Sequence, residues 1–452
     1  MVEMKEARRN HLVDTVIEKI VSENIKFARL QFIDINGILK SFSVSTKLIE
    51  DTLKYGQYFD GSSVTGMGSI EESDMVAVPD PTTFAVIPWR PKEISTCRFI
   101  CDIYLPNGKP FEGDPRYILK YAIEEARKEG FIYKCAPELE FFLLEKNETH
   151  IPTPMDFSGY FDLHPSGLSE ILRRKMADAA ELFGIDIEVA HHEVAVGQNE
   201  IDFRYDEALV TADRTVTMKM IIKNIAQQNG YLATFMPKPF FGVNGSGMHV
   251  HQSLWNLKGE NAFYQDIKDT GYLSEIALHF IGGQLYYGRE MAAILASWPN
   301  SYKRLVPGYE APVYIAYAYK NRSALIRVPD FGKRPKAARI EIRCPDPAGN
   351  PYLQFAVLLH AGLQGIRQKI NPPPPTDLNV YKMSYEERKS KGITSLPESL
   401  SEALKEMEKS ELMQRALLPI AYRNFLEVKW NEWNEYRMQV TQWELERYLN
   451  KL

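Results

Sequence analysis

The segment KCAPELEFFLLE, residues 134–145, decides the fold and the chemistry expected of this chain. Glu138 and Glu140 stand two positions apart on a predicted strand, so their carboxylates project from one face about 7 Å apart. By itself this spacing is more typical of a half-exposed strand than of a site. The following run, from Phe141 to Leu144, breaks the alternation and predicts burial on both faces. Ionised carboxylates buried in this way need a compensating cation, and a metal ion is the simplest one.

Two further segments carry acidic side chains near turns or strand faces. In AHHEVAVGQNEI, Glu193 and Glu200 flank a predicted turn between two strands, which is a weak signal when taken alone. In ARIEIRC, Glu341 and Arg343 share a strand face, which would place a metal-binding acid beside a base that binds carboxylates.

Another segment, VNGSGMHVHQSL, combines glycines with histidine side chains. Gly245 and Gly247 let the backbone approach a ligand closely. His249 and His251 lie two apart and therefore share one face of a predicted strand. A single histidine is usually structural, but two on one face favour a functional site.

Six of these side chains form an oxygen-rich donor set with one imidazole: Glu138, Glu140, Glu193, Glu200, His249 and Glu341. Hard cations prefer such ligands, so the set favours Mg²⁺ or Mn²⁺ over structural zinc. So many hard ligands predict more than one ion, of the kind that neutralises charge during phosphoryl transfer.

A group of arginines occupies a later region of predicted turns and strands: Arg304, Arg322, Arg327, Arg334, Arg339 and Arg343. Guanidinium groups bind two oxygens of a phosphate or carboxylate at once, so the group predicts anionic substrates. A scatter of surface arginines is the alternative explanation.

Composition narrows the class of protein. The 452 residues carry a net charge of −5 without a long basic face, which argues against a nucleic-acid partner. No apolar run reaches the roughly 18 residues of a membrane span, and the N-terminus lacks an apolar targeting segment, so we expect a cytoplasmic protein without membrane association. The four cysteines are expected to be buried free thiols of a reducing compartment rather than zinc ligands.

The chain is expected to contain two domains. Asn36-Gly37, between alternating segments, predicts a hairpin in a small N-terminal α+β unit. Asp114-Pro115 supplies the N-cap and first residue of a helix after a stretch rich in proline and glycine. We therefore expect an N-terminal domain of residues 1–113 and a catalytic domain of residues 114–452.

The second domain is expected to be α+β, with strand-like runs between helical patterns. The helical patterns lie at about 168–183, 207–229, 274–296 and 351–370. Residues 397–452 are also predicted to be helical, and their tryptophans could pack in the core or against a neighbouring subunit.

Several long motifs, in this order, resemble those of type I glutamine synthetases: FDGSS (59–63), PELEFF (137–142), HHEV and GQNE (191–200), NGSGMHVHQS (244–253), NSYKRLVPGYEAP (300–312), NRSALIRVP (321–329) and RIEIRCPDPAGNPYL (339–353). The resemblance covers nearly the whole chain and is nearest to the shorter bacterial and archaeal branch, because the extra segment of the adenylylated branch is not seen. It implies an N-terminal β-grasp domain and a C-terminal domain with a curved antiparallel sheet flanked by helices. The implied reaction joins ammonia to L-glutamate, giving L-glutamine, ADP and phosphate through γ-glutamyl phosphate.

The resemblance also implies two to three Mg²⁺ or Mn²⁺ ions at each site. The ion near glutamate and ammonia would be held by Glu140, Glu193 and Glu200. The ion that engages the ATP phosphates would be held by Glu138, His249 and Glu341.

The same resemblance assigns the substrate contacts. Glutamate would lie against Asn244, Gly245, Arg304 and Arg343. The transferred phosphoryl group or the nucleotide would be steadied by Arg322 and Arg339, with Arg327 as a further phosphate contact. ATP would also contact Glu188, Tyr205, His251 and Ser253.

Ammonium chemistry would involve two subunits. Asp60 of a neighbouring subunit would take a proton from ammonium, in a pocket completed by Ser63, Tyr160 and Glu193. Glu310, in the flap RLVPGYE, would close over the intermediate and exclude water. Family members form dodecamers of two stacked hexagonal rings with active sites between neighbours, so the same homo-oligomer is expected here.

The sequence is compatible with other functions and differs from the family pattern at one regulatory position. A γ-glutamyl-amine ligase, a non-catalytic regulatory or assembly protein on the same fold, and a two-metal hydrolase are the competing functions. Ser69 stands where some shorter-branch members have an arginine that serves glutamine feedback, so that feedback is not expected. Tyr381, in NVYKMS, resembles the tyrosine modified in the other branch. Regulation by 2-oxoglutarate or a PII-type protein is compatible with the sequence, but no residue in it specifies either.

Overall fold

The computed structural model describes residues 2–67, 73–147, 151–163, 167–376 and 378–452, so Ser69 lies outside the described residues. The strands are β1 (Phe27–Ile33), β2 (Leu39–Ser45), β3 (Gln57–Asp60), β4 (Asp74–Pro79), β5 (Ala85–Val86), β6 (Thr96–Tyr104), β7 (Phe131–Glu145), β8 (Ile187–His192), β9 (Gln198–Phe203), β10 (Asp206–Glu207), β11 (Tyr231–Thr234), β12 (Val250–Asn256), β13 (Tyr317–Tyr319), β14 (Ile326–Val328) and β15 (Ile340–Ile342). The helices are α1 (Val2–Ser22), α2 (Ile49–Tyr55), α3 (Pro115–Lys128), α4 (Leu168–Glu181), α5 (Ala208–Gln228), α6 (Glu275–Tyr286), α7 (Gly288–Leu295), α8 (Ser301–Arg304), α9 (Pro351–Gln368), α10 (Tyr385–Ser390), α11 (Leu400–Glu408), α12 (Glu411–Tyr436) and α13 (Gln442–Tyr448).

The N-terminal part of the chain forms one sheet in the order β2-β1-β6-β4-β3, with β5 also paired to β6. The predicted hairpin is confirmed, because β1 and β2 pair antiparallel from Ile33 opposite Leu39. Gly37 lies in the connecting loop with φ of +85°, and a Cβ there would come within 2.9 Å of the Asn350 Cα. The turn therefore needs glycine both for its backbone conformation and for its close approach to the second part of the chain.

A larger sheet follows, in the order β13-β14-β15-β12-β7-β9-β8, with β10 and β11 also paired to β7. Its pairs are antiparallel except for β13 with β14. The core side chains from Phe141 to Leu144 are all buried, as the sequence predicted for this end of β7. Helices α3, α5 and α9 contribute buried apolar side chains to the core that holds Phe141 and Leu143, whereas Phe142 and Leu144 pack with Ala195 in a separate cluster.

Most of the predicted helices are confirmed. Asp114 caps α3 by accepting a hydrogen bond from the Arg116 N–H at 3.0 Å. The helices α4, α5 and α9 lie where the periodicity placed them. The pattern at 274–296 instead forms two helices, because the backbone leaves helical geometry at Tyr287, where φ is −91° and ψ is 9°.

A buried ion-pair network joins the two parts of the chain. The guanidinium of Arg116 contacts Asp80 and Asp102 of the first part, at 2.8 and 2.6 Å, and Asp213 of α5 at 2.8 Å. The hydroxyl of Tyr352 donates to Asp213 at 2.6 Å. Because removing one member would leave buried charge unpaired, this network fixes the two parts relative to each other.

The cysteines are all buried free thiols, in agreement with the sequence. None of the helices in the described ranges has the length and apolar character needed to cross a bilayer.

Candidate active site

Three neighbouring strands, β7, β9 and β8, bring acidic side chains together by their register. Glu140 lies directly opposite Glu200, which lies opposite His191 on the next strand. Two residues along the same strands, Glu138 lies opposite Asp202. Because alternate residues of a strand share a face, these five side chains all project from one side of the sheet.

The strands on the other side of β7 complete this surface. His251 of β12 lies opposite Glu341 of β15, which lies opposite Arg327 of β14. The carbonyl of His249, just before β12, accepts a hydrogen bond from the Glu138 N–H at 2.9 Å. The sheet therefore places the side chains of five strands around Glu138.

Two groups of side chains have the spacing and chemistry of metal ligands. Ligand atoms of Glu138, His249 and Glu341 all lie within 4.8 Å of one another, and so do those of His191, Glu200 and Asp202. Glu341 is fully buried, so its negative charge has no access to water. The guanidinium groups of Arg327 and Arg343 lie 2.5 and 2.6 Å from this carboxylate and offset its charge. Carboxylates with an imidazole suit a divalent cation.

The first group pairs an ionised carboxylate with a neutral imidazole. Burial by itself would raise the pKa of Glu138, but hydrogen bonds from His249 at 2.6 Å and His251 at 2.8 Å hold that pKa well below its usual value. Burial and the nearby Arg343 guanidinium lower the pKa of His249, which keeps the imidazole neutral. Glu138 therefore presents a carboxylate and His249 a neutral imidazole.

Glu140 and Glu193 lie close to the second group and add two carboxyls to those of Glu200 and Asp202. Burial and the charges of Glu200 and Glu193 raise the pKa of Glu140 well above its usual value. Burial and Glu200 raise the pKa of Glu193 to about 7, and burial with Glu200 and Glu138 raises that of Asp202 to about 10. Binding protons reduces the repulsion between these carboxylates, and a bound divalent cation would reduce it further.

Metal binding is therefore expected to release protons and to strengthen as the pH rises. A cation binds the ionised carboxylate, so protons compete with it below the pKa of about 7 for Glu193. Titration calorimetry with Mg²⁺ should show tighter binding at about pH 8 than at about pH 6, with proton release seen as a dependence of the heat on the buffer. Glu193→Gln should release fewer protons, whereas equal affinity at both pH values would contradict this account.

Two cavities open on this surface and share Glu138. The first, of about 270 Å³, is lined by fourteen predicted site residues: Glu138, Glu140, Tyr160, Glu193, Glu200, Asn244, Gly245, His249, Arg304, Glu310, Arg322, Arg327, Glu341 and Arg343. The second, of about 460 Å³, is lined by the predicted ATP contacts Glu188, Tyr205, His251, Ser253 and Arg339, and by Glu138, predicted to hold the metal ion that engages ATP.

Three predicted site residues do not lie where their assigned roles would place them. Arg327, predicted to contact phosphate, borders the first cavity rather than the second, which holds most of the predicted ATP contacts. Its guanidinium donates to Glu341 at 2.5 Å, as that of Arg343 does at 2.6 Å. Asp60, on the outer strand β3, and Ser63 are exposed and border neither cavity of their own chain. The described chain therefore brings together every predicted site residue except these two.

The first cavity has a strongly cationic wall. The guanidinium of Arg304 is 3% exposed and donates to the carbonyls of Arg343, Cys344 and Pro345 at 2.9 to 3.2 Å. Arg343 itself donates to Glu341 at 2.6 Å. These contacts fix both guanidinium groups in place before any substrate binds, which is the pre-organisation expected for recognising an anion.

Sequence reasoning missed His191, Gln198 and Asp202. The side chain of Gln198 is 1% exposed, and its amide donates to the Glu140 carboxylate at 2.9 Å and to the Gly245 carbonyl at 3.2 Å. The spacing of Glu200 and Asp202 repeats that of Glu138 and Glu140, so the same reasoning about alternating positions would have found Asp202.

Comparison with known proteins bears directly on this arrangement. A family model described as the glutamine synthetase catalytic domain matches residues 112–448, and one described as the glutamine synthetase beta-Grasp domain matches residues 24–106. The chain belongs to the glutamine synthetase family. Its first sheet is the β-grasp domain, and its large sheet is the curled half-barrel of the catalytic domain. Members of the family use ATP and divalent metals.

Individual relatives cover the chain almost completely. Glutamine synthetase of Methanosarcina mazei is 48% identical over 454 residues, which is 100% of each chain, and that of Thermotoga maritima is 49% identical over 439 residues, or 97% of this chain and 99% of the relative. Among solved structures, a GmaS/ADP complex has a TM-score of 0.87 at 32% identity and covers 96% of this chain and 99% of its own. Plasmodium falciparum glutamine synthetase, solved by cryoEM, has a TM-score of 0.87 at 26% identity, with 97% and 98% coverage.

Proposed function

We propose that this chain joins ammonia to L-glutamate with ATP, through γ-glutamyl phosphate, using the two cavities described above. Membership of the glutamine synthetase family supports the overall reaction, L-glutamine with ADP and phosphate as products. The observation that carries the residue-level proposal is the position of Glu138, which borders both cavities. A carboxylate in this position is placed to act on a phosphoryl group that passes from one cavity to the other.

The first cavity is proposed to bind glutamate and the intermediate. Its wall of fixed guanidinium groups, Arg304 and Arg343, suits the carboxylates of glutamate. The exposed Arg322 lines the same cavity, where it hydrogen-bonds the Tyr160 hydroxyl, and it is proposed to contact the transferred phosphoryl group. The γ-carboxylate oxygen attacks the terminal phosphorus of ATP, the bond from that phosphorus to ADP breaks, and the acyl phosphate forms.

Two groups of acidic ligands are proposed to hold two to three Mg²⁺ or Mn²⁺ ions. Glu138, His249 and Glu341 would hold one ion on the nucleotide side, and Glu140, Glu193 and Glu200 another on the glutamate side. Asp202 and His191 lie beside the second set. When bound, such ions supply positive charge that neutralises phosphate oxygens during transfer.

The second cavity is proposed to bind ATP. Tyr205 and Lys134 line this cavity, with the Lys134 ammonium 5.6 Å from the centroid of the Tyr205 ring, and the Tyr205 ring stacks on buried Trp255 at 6.4 Å. Arg339, half-buried at the cavity wall, has its pKa lowered by burial and offers its guanidinium to a polyphosphate. An aromatic surface with cations beside it suits a nucleotide.

The ammonium pocket is proposed to be completed by a second subunit. Tyr160 and Glu193 border the first cavity, while Asp60 and Ser63 are exposed on the β-grasp domain and reach neither cavity of their own chain. Asp60 of a neighbour would take a proton from ammonium, and the ammonia would then attack the acyl carbon and displace phosphate. We therefore propose a homo-oligomer, arranged as a dodecamer of two hexameric rings.

Three further expectations stay predictions. The domain boundary at residue 113 fits the position of Asp114, whose side chain accepts from Ile103 of the first sheet at 3.0 Å while capping α3. A cytoplasmic location fits the four buried free thiols. A PII-type regulator has no assigned surface among the described residues.

The competing functions each leave part of the site without a role. A hydrolase needs neither the cationic wall of the first cavity nor Glu310 at its rim. A non-catalytic protein would not need its metal-ligand side chains, yet all six predicted ligands meet around the first cavity. A γ-glutamyl-amine ligase would differ only in the nucleophile, which would be an amine other than ammonia.

The deciding experiment compares nucleophiles. ADP release by the purified chain should require glutamate and Mg²⁺ or Mn²⁺, and should be supported by ammonium. Glutamine should form in a one-to-one ratio with ADP. Release of ADP with methylamine or a polyamine but not with ammonium would assign the chain to the amine ligases instead.

A further inference from the structure

The segment from Tyr309 to Ala311 borders the first cavity and carries Glu310 at its rim. Glu310 has a φ of +57°, in the left-handed region that side chains other than glycine seldom adopt. Such a conformation persists only where the surroundings enforce it. The residues on either side of Glu310 show what enforces it.

On one side, Tyr309 is held by Lys238. The Lys238 ammonium lies 3.9 Å from the centroid of the Tyr309 ring and donates a hydrogen bond to the carbonyl of Val243. The Lys238 backbone is fixed in turn by Asn300, which accepts from its N–H at 2.8 Å and donates to its carbonyl at 3.1 Å. One buried ammonium therefore links the flap to the loop that precedes Asn244.

On the other side, Ala311 is held by Tyr381. The Tyr381 hydroxyl donates to the Ala311 carbonyl at 2.7 Å. Burial raises the pKa of Tyr381 to about 12, so this hydroxyl keeps its proton at neutral pH. The tyrosine of NVYKMS, which the sequence singled out only by resemblance to a modified segment, thus contacts the flap directly.

We propose that Lys238 and Tyr381 are positioning residues that hold the flap closed over the acyl phosphate, so that ammonia reacts with it and water does not. This inference rests on the proposed function, because only a ligase that forms an acyl phosphate needs this protection. If water enters, its oxygen adds to the γ-carbonyl carbon and the bond to the phosphate oxygen breaks. Glutamate and phosphate form, the protons pass to solvent, and ATP is consumed without glutamine.

The test measures coupling rather than rate. Tyr381→Phe removes only the hydroxyl, and Lys238→Met removes the ammonium while keeping most of the side-chain volume. Matched controls are Tyr319→Phe, whose hydroxyl donates to the Thr270 carbonyl at 2.9 Å away from the flap, and Lys223→Met, whose ammonium lies 5.7 Å from the Phe235 ring. All are assayed as full chains with glutamate, ammonium and ATP in water enriched in oxygen-18.

The parent chain and both controls should form one glutamine for each ADP. Tyr381→Phe and Lys238→Met should raise the ratio of ADP to glutamine by about threefold, the size expected from loss of one hydrogen bond that holds a closed state. Mass spectrometry should find oxygen-18 in the γ-carboxylate of recovered glutamate. A lower rate with an unchanged ratio, in both variants, would overturn the proposal.

Folding and function are separated by the same data. Thermal unfolding shows whether each variant is folded, and if Tyr381→Phe is not, the ratio for Lys238→Met decides the outcome. Failure of the parent chain to make glutamine would contradict the proposed function. Glutamine formation by the parent with full coupling in both variants would contradict only the role of Lys238 and Tyr381.

Discussion

Replacing Glu138 by glutamine should lower kcat/KM for glutamine formation by about a thousandfold, the size expected when a charged group at the reacting phosphate is lost. Glutamine keeps the shape of the side chain and removes its charge. Glu138 accepts hydrogen bonds from both His249 and His251, and the neutral carbonyl oxygen of a glutamine would accept them less strongly than the carboxylate does. The loss should affect both cavities because Glu138 borders both.

Steady-state assays at several Mg²⁺ concentrations measure this effect. Glu145→Gln is the matched control, since Glu145 is exposed at the far end of the same strand and should retain nearly full activity. Thermal unfolding should show that Glu138→Gln remains folded. Activity within tenfold of the parent would contradict the assignment of Glu138 to the path of the phosphoryl group.

Replacing Asp60 by alanine should lower glutamine formation by about a hundredfold to a thousandfold, the range typical of losing a general base, while glutamate-dependent phosphoryl transfer falls much less. Phosphoryl transfer is spared because it comes first: ammonium is deprotonated only after the acyl phosphate has formed. Hydroxylamine, uncharged at neutral pH, should restore product formation. Asp51→Ala, at an exposed acid on α2 of the same domain, serves as the control. Equal loss of both steps would contradict the assigned role.

Mixed oligomers test whether Asp60 and Glu310 act across a subunit boundary. Each single variant, Asp60→Ala or Glu310→Ala, damages every site it forms alone. If neighbours supply Asp60, random mixing in equal amounts leaves roughly a quarter of the sites with both side chains intact. Activity regained on mixing would support the shared site, whereas a mixture no more active than its parts would contradict it.

Local chemistry made much of the fold predictable. The turn at Asn36-Gly37, the cap at Asp114 and the helices α4, α5 and α9 depend on residues close together in the chain. The two carboxylates of β7 were also placed correctly on one face, because alternation along a strand is a local property.

The sequence did not predict which residues lie opposite each other on neighbouring strands. The register that puts Glu200 between Glu140 and His191, and Asp202 opposite Glu138, depends on how distant strands align, and one sequence does not specify that. The position of Arg327 beside Glu341 has the same origin. The break between α6 and α7 at Tyr287 is not marked by the helical periodicity, which runs through both helices.

The most direct test of the central claim follows atoms through the reaction. Glutamate labelled with oxygen-18 in its γ-carboxylate is incubated with nitrogen-15 ammonium, ATP and Mg²⁺, and both products are analysed by mass spectrometry. If γ-glutamyl phosphate is formed, each glutamine should carry nitrogen-15 in its amide and each phosphate released should carry one oxygen-18 from glutamate. Phosphate without oxygen-18, formed alongside ADP, would contradict the acyl phosphate and with it the proposed division of the two cavities.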